Sequence, residues 1–167
     1  MGSIEGVYAT SAKWRGGFEV VSLLYDPEEL DYSSLVEKAK QFKCTAKVFT
    51  YTEAQLETAT ELVGDKAVMA EDSQSPRFAS DSDQKYYLAN SPLRSLPMCD
   101  YQITKVNAAL GMRQPYASLL SPRQRKLAAE ILETVKSDQN ALAGYVTPID
   151  ANKLGAYAEK LEEALGK

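Results

Sequence analysis

The segment 6–27, GVYATSAKWRGGFEVVSLLYDP, constrains the fold more than any other part of the chain. Its first half lacks a clear apolar period and predicts a loop that ends in a turn at Gly16-Gly17. The stretch Glu19–Tyr25 is rich in Val and Leu, which predicts a strand buried on both faces. Asp26-Pro27 ends this strand, because proline has no amide hydrogen to donate to a neighbouring strand.

A helix and a second strand follow. Apolar residues at helical spacing predict a helix that Asp31 or Ser33 caps and that ends near Phe42. Thr45–Tyr51 is β-branched and aromatic, which predicts a strand. The intervening helix is long enough for a right-handed crossover between parallel strands. We therefore expect the strands at 19–25 and 45–51 to lie in one sheet.

The next segment repeats this order of helix and strand. Thr52 followed by Gln55 is a capping-box pattern, and Gly64 is a typical residue to end the helix that they begin. Lys66–Met69 predicts a short third strand. The segment 71–83 is rich in Ser and Asp and predicts a loop.

The remainder of the chain predicts helices. Gln84–Leu88 is typical of a short helix or an extended aromatic segment. Cys99 or Asp100 begins a longer helix, and Ser121-Pro122 begins another with a hydroxyl cap followed by proline. Asp150 caps the last helix, whose apolar residues recur at spacings of three and four.

Together these patterns predict an α+β fold. We expect an α/β-type core of two to four strands with packed helices at 1–92, and a helical C-terminal region at 93–167 that packs on the same core. A folded chain of 167 residues buries roughly 70% of its unfolded surface, so it needs no disulfide or metal for stability.

The composition excludes several classes of function. The chain has no histidine, which rules out Ser-His-Asp and Cys-His catalysis and any histidine-ligated zinc or haem. A net charge of −4 argues against nucleic-acid binding, which needs a basic face. Apolar runs are too short to span a membrane. We expect a soluble, cytoplasmic protein with no cofactor and no metal. The acidic loop that includes Asp72 and Asp81 indicates a solvated surface rather than a weak calcium site.

Several segments resemble the methionine-S-sulfoxide reductase A family. They follow the order of that family from Gly6 to Pro92, and their order makes the set more specific than any one of them. The matching segments are TSAKWRGG at 10–17 for T-x-x-G-Y-A-G-G, FEVV…YDP at 18–27 for A-E-V-V…Y-D-P, YSSL at 32–35 for S-Y-x-x-L, 44–55 for Y-R-S-A-I-Y…E-Q, and SDSDQKYYLANSP at 80–92 for A-E-D-Y-H-Q-x-Y-L-x-x-N-P.

The chain also departs from the family pattern. The family signature G-C-F-W-x-x-E, which carries the nucleophilic cysteine, lies upstream of the segment that matches Gly6, and the chain begins too late to contain it. We therefore expect the reading frame to extend upstream of Met1. Trp14 stands where the family has Tyr, and Asp83 stands where it has His. An insertion between Gly-Gly and Glu-Val-Val and the segment H-D-P-T are absent.

The resemblance implies a ferredoxin-like core, a methionine sulfoxide peptide as substrate and a thioredoxin-like reductant. It gives substrate-binding roles to an aromatic and acidic set: Trp14, Tyr51, Asp83, Tyr86 and Tyr87. The catalytic candidates are the two cysteines, Cys44 and Cys99; the position of Cys99 resembles that of the resolving cysteine that the family often carries in its C-terminal tail. Without the family nucleophile, which no binding group can replace, we expect no reductase activity.

Two other functions stay open. The chain is alternatively a non-catalytic binding or interaction module, in which the aromatic residues pack the core or line a surface. A second alternative is a thiol redox switch that uses Cys44 and Cys99. Free cysteines are commonly small buried hydrophobes, and the spacing of these two fits a structural role, a redox pair or a disulfide equally well. If the first family strand is absent, an open sheet edge invites pairing with another chain, and a homodimer becomes an expected outcome.

Overall fold

Strands and helices are unequally distributed along the chain. A computed structural model describes residues 1–71 and 75–166. These residues divide into two compact units, Met1–Asp83 and Gln84–Lys167, and the described strands all lie in the first. The mixed helix and strand content confirms the α+β prediction. The segment 84–92, which we assigned to the first part from sequence, lies in the helical second unit.

In its described residues, the first unit contains strands, two α-helices and two turns of 3₁₀ helix. Its strands are β1 (Val7–Arg15), β2 (Phe18–Tyr25), β3 (Val48–Thr50), β4 (Ala67–Met69) and β5 (Arg77–Phe78). Its α-helices are α1 (Tyr32–Gln41) and α2 (Glu53–Val63), and its 3₁₀ turns are Gly64–Lys66 and Asp81–Asp83.

A β-hairpin opens this unit. β1 pairs antiparallel with β2, and the turn residues Gly16 and Gly17 have φ values of 54° and 82°. Positive φ at both positions is what a two-residue type I′ hairpin turn requires. The predicted turn is therefore confirmed, but the loop predicted before it is wrong. The segment is rich in small and polar residues, and it forms a strand because β2 and β5 pair with it rather than through its own apolar pattern.

The prediction that β2 is buried on both faces is also wrong. Val21 and Leu24 are 40% and 63% exposed. In the described residues the sheet order is β2-β1-β5, so β2 lies at an edge. Its apolar content indicated a central strand, yet β1 is the only described strand that pairs with it.

The strands predicted to share one sheet lie in two. β3 pairs in parallel with β4, and α2 forms the crossover between them. β2 belongs to the other sheet, so the crossover predicted through α1 is wrong. β3 instead takes the next strand in sequence as its partner. The side chains of Phe18 and Phe49 nevertheless meet, with ring centroids 6.4 Å apart.

The predicted helix caps of this unit are confirmed. Asp31 accepts hydrogen bonds from the Ser34 amide at 2.8 Å and the Ser34 hydroxyl at 2.7 Å. These bonds, the amide first, lower the pKa of Asp31, because they favour its charged form. Thr52 accepts from the Gln55 amide at 3.2 Å to begin α2, and Gly64, with φ 64°, ends it.

The second unit is helical in its described residues. Its α-helices are α3 (Tyr86–Ala89), α4 (Asp100–Gly111), α5 (Pro122–Ser137) and α6 (Leu154–Ala164), and its 3₁₀ turns are Pro92–Ser95, Ala117–Leu119 and Ala151–Lys153. Their apolar faces enclose one core that includes Leu93, Leu96, Val106, Ile131 and Leu161. The predicted starts at Cys99 and Ser121 are the caps of α4 and α5. Asp150 caps the 3₁₀ turn that leads into α6.

An amide pair joins the first turns of α4 and α5. Gln102 and Gln124 exchange two side-chain hydrogen bonds of 2.9 Å. Gln124 also accepts from the Ser121 amide and donates to the Pro97 carbonyl, at 2.9 and 2.8 Å. The pair therefore satisfies helix-end groups that would otherwise lack partners.

Gly6→Ala should destabilise the first unit more than Gly17→Ala. The two glycines have similar φ values, 78° and 82°, so both substitutions carry the left-handed penalty of about 1–2 kcal/mol. Only Gly6 is crowded: a Cβ there would lie 2.8 Å from Leu30 Cβ, whereas no described atom lies within 4 Å of one at Gly17. Urea unfolding followed by the fluorescence of Trp14, the single tryptophan, measures the difference. Equal losses would show that Leu30 moves aside freely.

Gln102→Ala and Gln124→Ala should each lower the free energy of unfolding of the second unit by about 1–3 kcal/mol, because each leaves buried polar groups without partners. Since the two amides bond to each other, the double variant should lose less than the sum. Urea unfolding followed by far-UV circular dichroism provides the measurement, and Gln139→Ala, an exposed site, is the control. Additive losses would contradict the pairing.

Candidate functional site

The two predicted catalytic cysteines lie in different units. Cys44 follows α1 in the first unit and Cys99 caps α4 in the second; both are exposed, free thiols. Cys44 Sγ lies 3.5 Å from the Phe42 carbonyl oxygen, to which the thiol donates. Nucleophilic attack requires a thiolate instead. Among the described residues, no cluster of His, Cys, Asp or Glu could hold a metal ion; Asp72, predicted in the acidic loop, lies outside them.

The structure does not bring Trp14 and Tyr51 together in one pocket. Trp14 precedes Arg15 on β1, and successive side chains of a strand point to opposite faces. Tyr51 accepts a hydrogen bond from Arg15 through its hydroxyl, so it lies on the Arg15 face. Trp14 therefore lies on the opposite face of the hairpin.

The other predicted substrate-binding residues divide between the units. Asp83, in the first, accepts a hydrogen bond of 2.6 Å from the Ser80 hydroxyl within its own 3₁₀ turn. Tyr86 and Tyr87, in the second, pack edge to face with ring centroids 5.5 Å apart. Lys85 precedes them and donates to Thr104 Oγ1 at 2.8 Å. Burial lowers the pKa of this lysine, because the charged form loses hydration.

Arg15 is the residue that the sequence analysis missed. It is only 5% exposed, and its guanidinium donates to the Tyr51 hydroxyl at 3.0 Å and to the Glu71 carbonyl at 2.9 Å. Its central carbon lies 5.4 Å from the ring centroids of both Phe49 and Tyr51. We call Arg15, Phe49 and Tyr51 the arginine cage. The cage could be predicted from sequence only if residues 7–15 were assigned as a strand. That assignment places Arg15 beside Phe18, whose ring meets Phe49.

The arginine cage holds a positive charge without a negative partner among the described residues. No described carboxylate lies within ion-pair distance of Arg15, and its buried Nε has no hydrogen-bond acceptor. An arginine stays protonated, and removing its charge from water costs several kcal/mol unless a counter-charge compensates. The two rings return only about 0.5–2 kcal/mol each by cation–π attraction. The cage is therefore suited to an anion.

The outer edge of β2 lies beside this cage. The two-residue turn makes Arg15 and Phe18 a hydrogen-bonded pair, so the amides of Glu19, Val21 and Leu23 point away from β1. In the described residues no strand pairs with that edge. Natural edge strands are usually protected by lysine, proline or short length. β2 has eight residues, no lysine or proline, and one charge, at Glu19.

Comparisons of this chain with family models, curated proteins and solved structures give no match. Within the described part of the chain, no helix has the length and apolar character needed to cross a membrane. The arginine cage and the outer edge of β2 are therefore the features of the molecule that bear on its function.

Proposed function

We propose that the first unit is a non-catalytic binding module that accepts an extended segment of a partner protein as an additional strand along β2. The observation that carries this proposal is the unprotected outer edge of β2. Strand addition obtains its affinity from main-chain hydrogen bonds, and specificity comes from the alternate side chains of the added strand.

The composition of β2 supports strand addition. Val and Leu favour extended backbone, and the exposed side chains of Val21 and Leu24 offer apolar contact to a neighbouring strand. An edge of this kind causes aggregation when nothing covers it. A partner strand would cover it.

The position of β3 supports the same interpretation. In a ferredoxin-like sheet the two strands of a βαβ unit are separated by one strand from elsewhere. β2, α1 and β3 follow this order, and β2 and β3 are not paired although Phe18 meets Phe49. We propose that the added strand occupies the position between β2 and β3 and that it joins the two separate sheets into one sheet of ferredoxin-like form.

The chain should not reduce methionine sulfoxide with dithiothreitol as the reductant. The sequence contains no counterpart of the family's nucleophile motif, and its two cysteines lie in different units. Chromatographic detection of methionine from a sulfoxide peptide is the measurement, with Cys44→Ser and Cys99→Ser as controls. Turnover that Cys44→Ser abolishes would identify a nucleophile and contradict the non-catalytic function.

A short acetylated and amidated peptide of alternating Val and Thr, with one Glu near its C-terminus, should bind the whole chain saturably in fluorescence anisotropy. Methylation of alternate peptide amides should abolish binding, because the added strand then loses its main-chain donors. Val21→Pro should weaken binding at least about tenfold through loss of the outward amide, whereas Val21→Ala should retain it.

The methylated peptide keeps this test valid even if Val21→Pro fails to fold, since the protein is then unchanged. Absence of binding at millimolar peptide, or equal binding of the methylated peptide, would contradict strand addition.

A further inference from the structure

We infer that Arg15 binds a carboxylate carried by the added segment, near the C-terminal end of that segment. This inference depends on the proposed strand addition. It assigns a chemical class to the partner: an extended peptide with an acidic side chain, or a free terminal carboxylate, at one position.

The hydrogen bonding of Arg15 is the first argument. A guanidinium has five N–H donors, and the described structure gives this one two acceptors, both uncharged. Nε is buried and has no acceptor among the described residues. Buried charges in proteins are usually paired with a charge of opposite sign. The remaining N–H donors and the uncompensated charge of Arg15 therefore favour binding of an anionic group.

The direction of the added strand is the second argument. The strand between the two members of a split βαβ unit runs antiparallel to both. Arg15 pairs with Phe18, the first residue of β2. An antiparallel neighbour of β2 therefore ends beside Phe18, which places its C-terminal residues at the arginine cage.

The construction of the cage is the third argument. Tyr51 is 65% exposed, so its hydroxyl can give up the Arg15 bond without disturbing a packed core. Phe49 remains as an apolar wall. A planar carboxylate accepts two parallel N–H bonds from a guanidinium, which favours this anion for a cage with aromatic walls. A nucleic-acid phosphate is disfavoured, because the chain carries a net charge of −4.

The test compares the Glu-containing peptide with an otherwise identical Gln peptide in anisotropy titrations. The unmodified chain should bind the Glu peptide about tenfold more tightly, since bonds to charged groups are the stronger ones. Arg15→Met should remove this preference. Arg77→Met, the matched control at an exposed arginine of β5, should retain it.

The outcomes separate this inference from the proposed function. Equal binding of the Glu and Gln peptides, with no binding of the methylated peptide, leaves strand addition intact and overturns the role of Arg15. Absence of binding by all peptides contradicts the proposed function itself. The Glu–Gln comparison uses unmodified protein, so it is decisive even if Arg15→Met does not fold.

A further arm tests whether the cage binds a free small anion instead of a peptide carboxylate. Sodium acetate is compared with sodium chloride at equal ionic strength, with Trp14 fluorescence reporting the melting temperature. Stabilisation by acetate without a Glu preference would assign the cage to a free small anion and overturn the peptide assignment.

Discussion

The closed turn at Gly16-Gly17 is the constraint on which the first unit depends. It places Arg15 opposite Phe18, and this pairing determines the register of the whole hairpin. The same register places Arg15 and Tyr51 on one face and Trp14 on the other. It also decides which amides of β2 point outward. A shift of one residue would reverse both assignments, because side chains alternate with a period of two.

The sequence predicted the local features of the fold and missed the non-local ones. The caps at Asp31, Thr52 and Ser121 depend on residues three positions apart, so their patterns are visible in one chain. β1 is a strand because β2 and β5 pair with it, whereas its own residues predict a loop. The separation of β2 from β3 follows from pairing partners, which no local pattern specifies.

The same distinction explains the candidate site. The predicted site residues, such as Cys44 and Tyr86, are of types that often take part in catalysis or binding. Residue type alone does not predict which side chains are neighbours in space. Arg15 looked like an ordinary turn residue in sequence. Its significance arises from burial against Phe49 and Tyr51, which come from a distant strand and the residue after it. Only tertiary contacts convert a common arginine into an uncompensated charge.

The two units differ in where their prominent polar groups find partners. In the second, Gln102 and Gln124 pair with each other and with helix ends, and Tyr157 donates to the Ser95 carbonyl at 2.8 Å. In the first, the arginine cage lacks a described counter-charge and β2 lacks a described outer neighbour. A ligand that supplied a counter-charge to the arginine cage and a neighbouring strand to β2 would bind only the folded state of the first unit. Its binding free energy therefore adds to the stability of the first unit in particular.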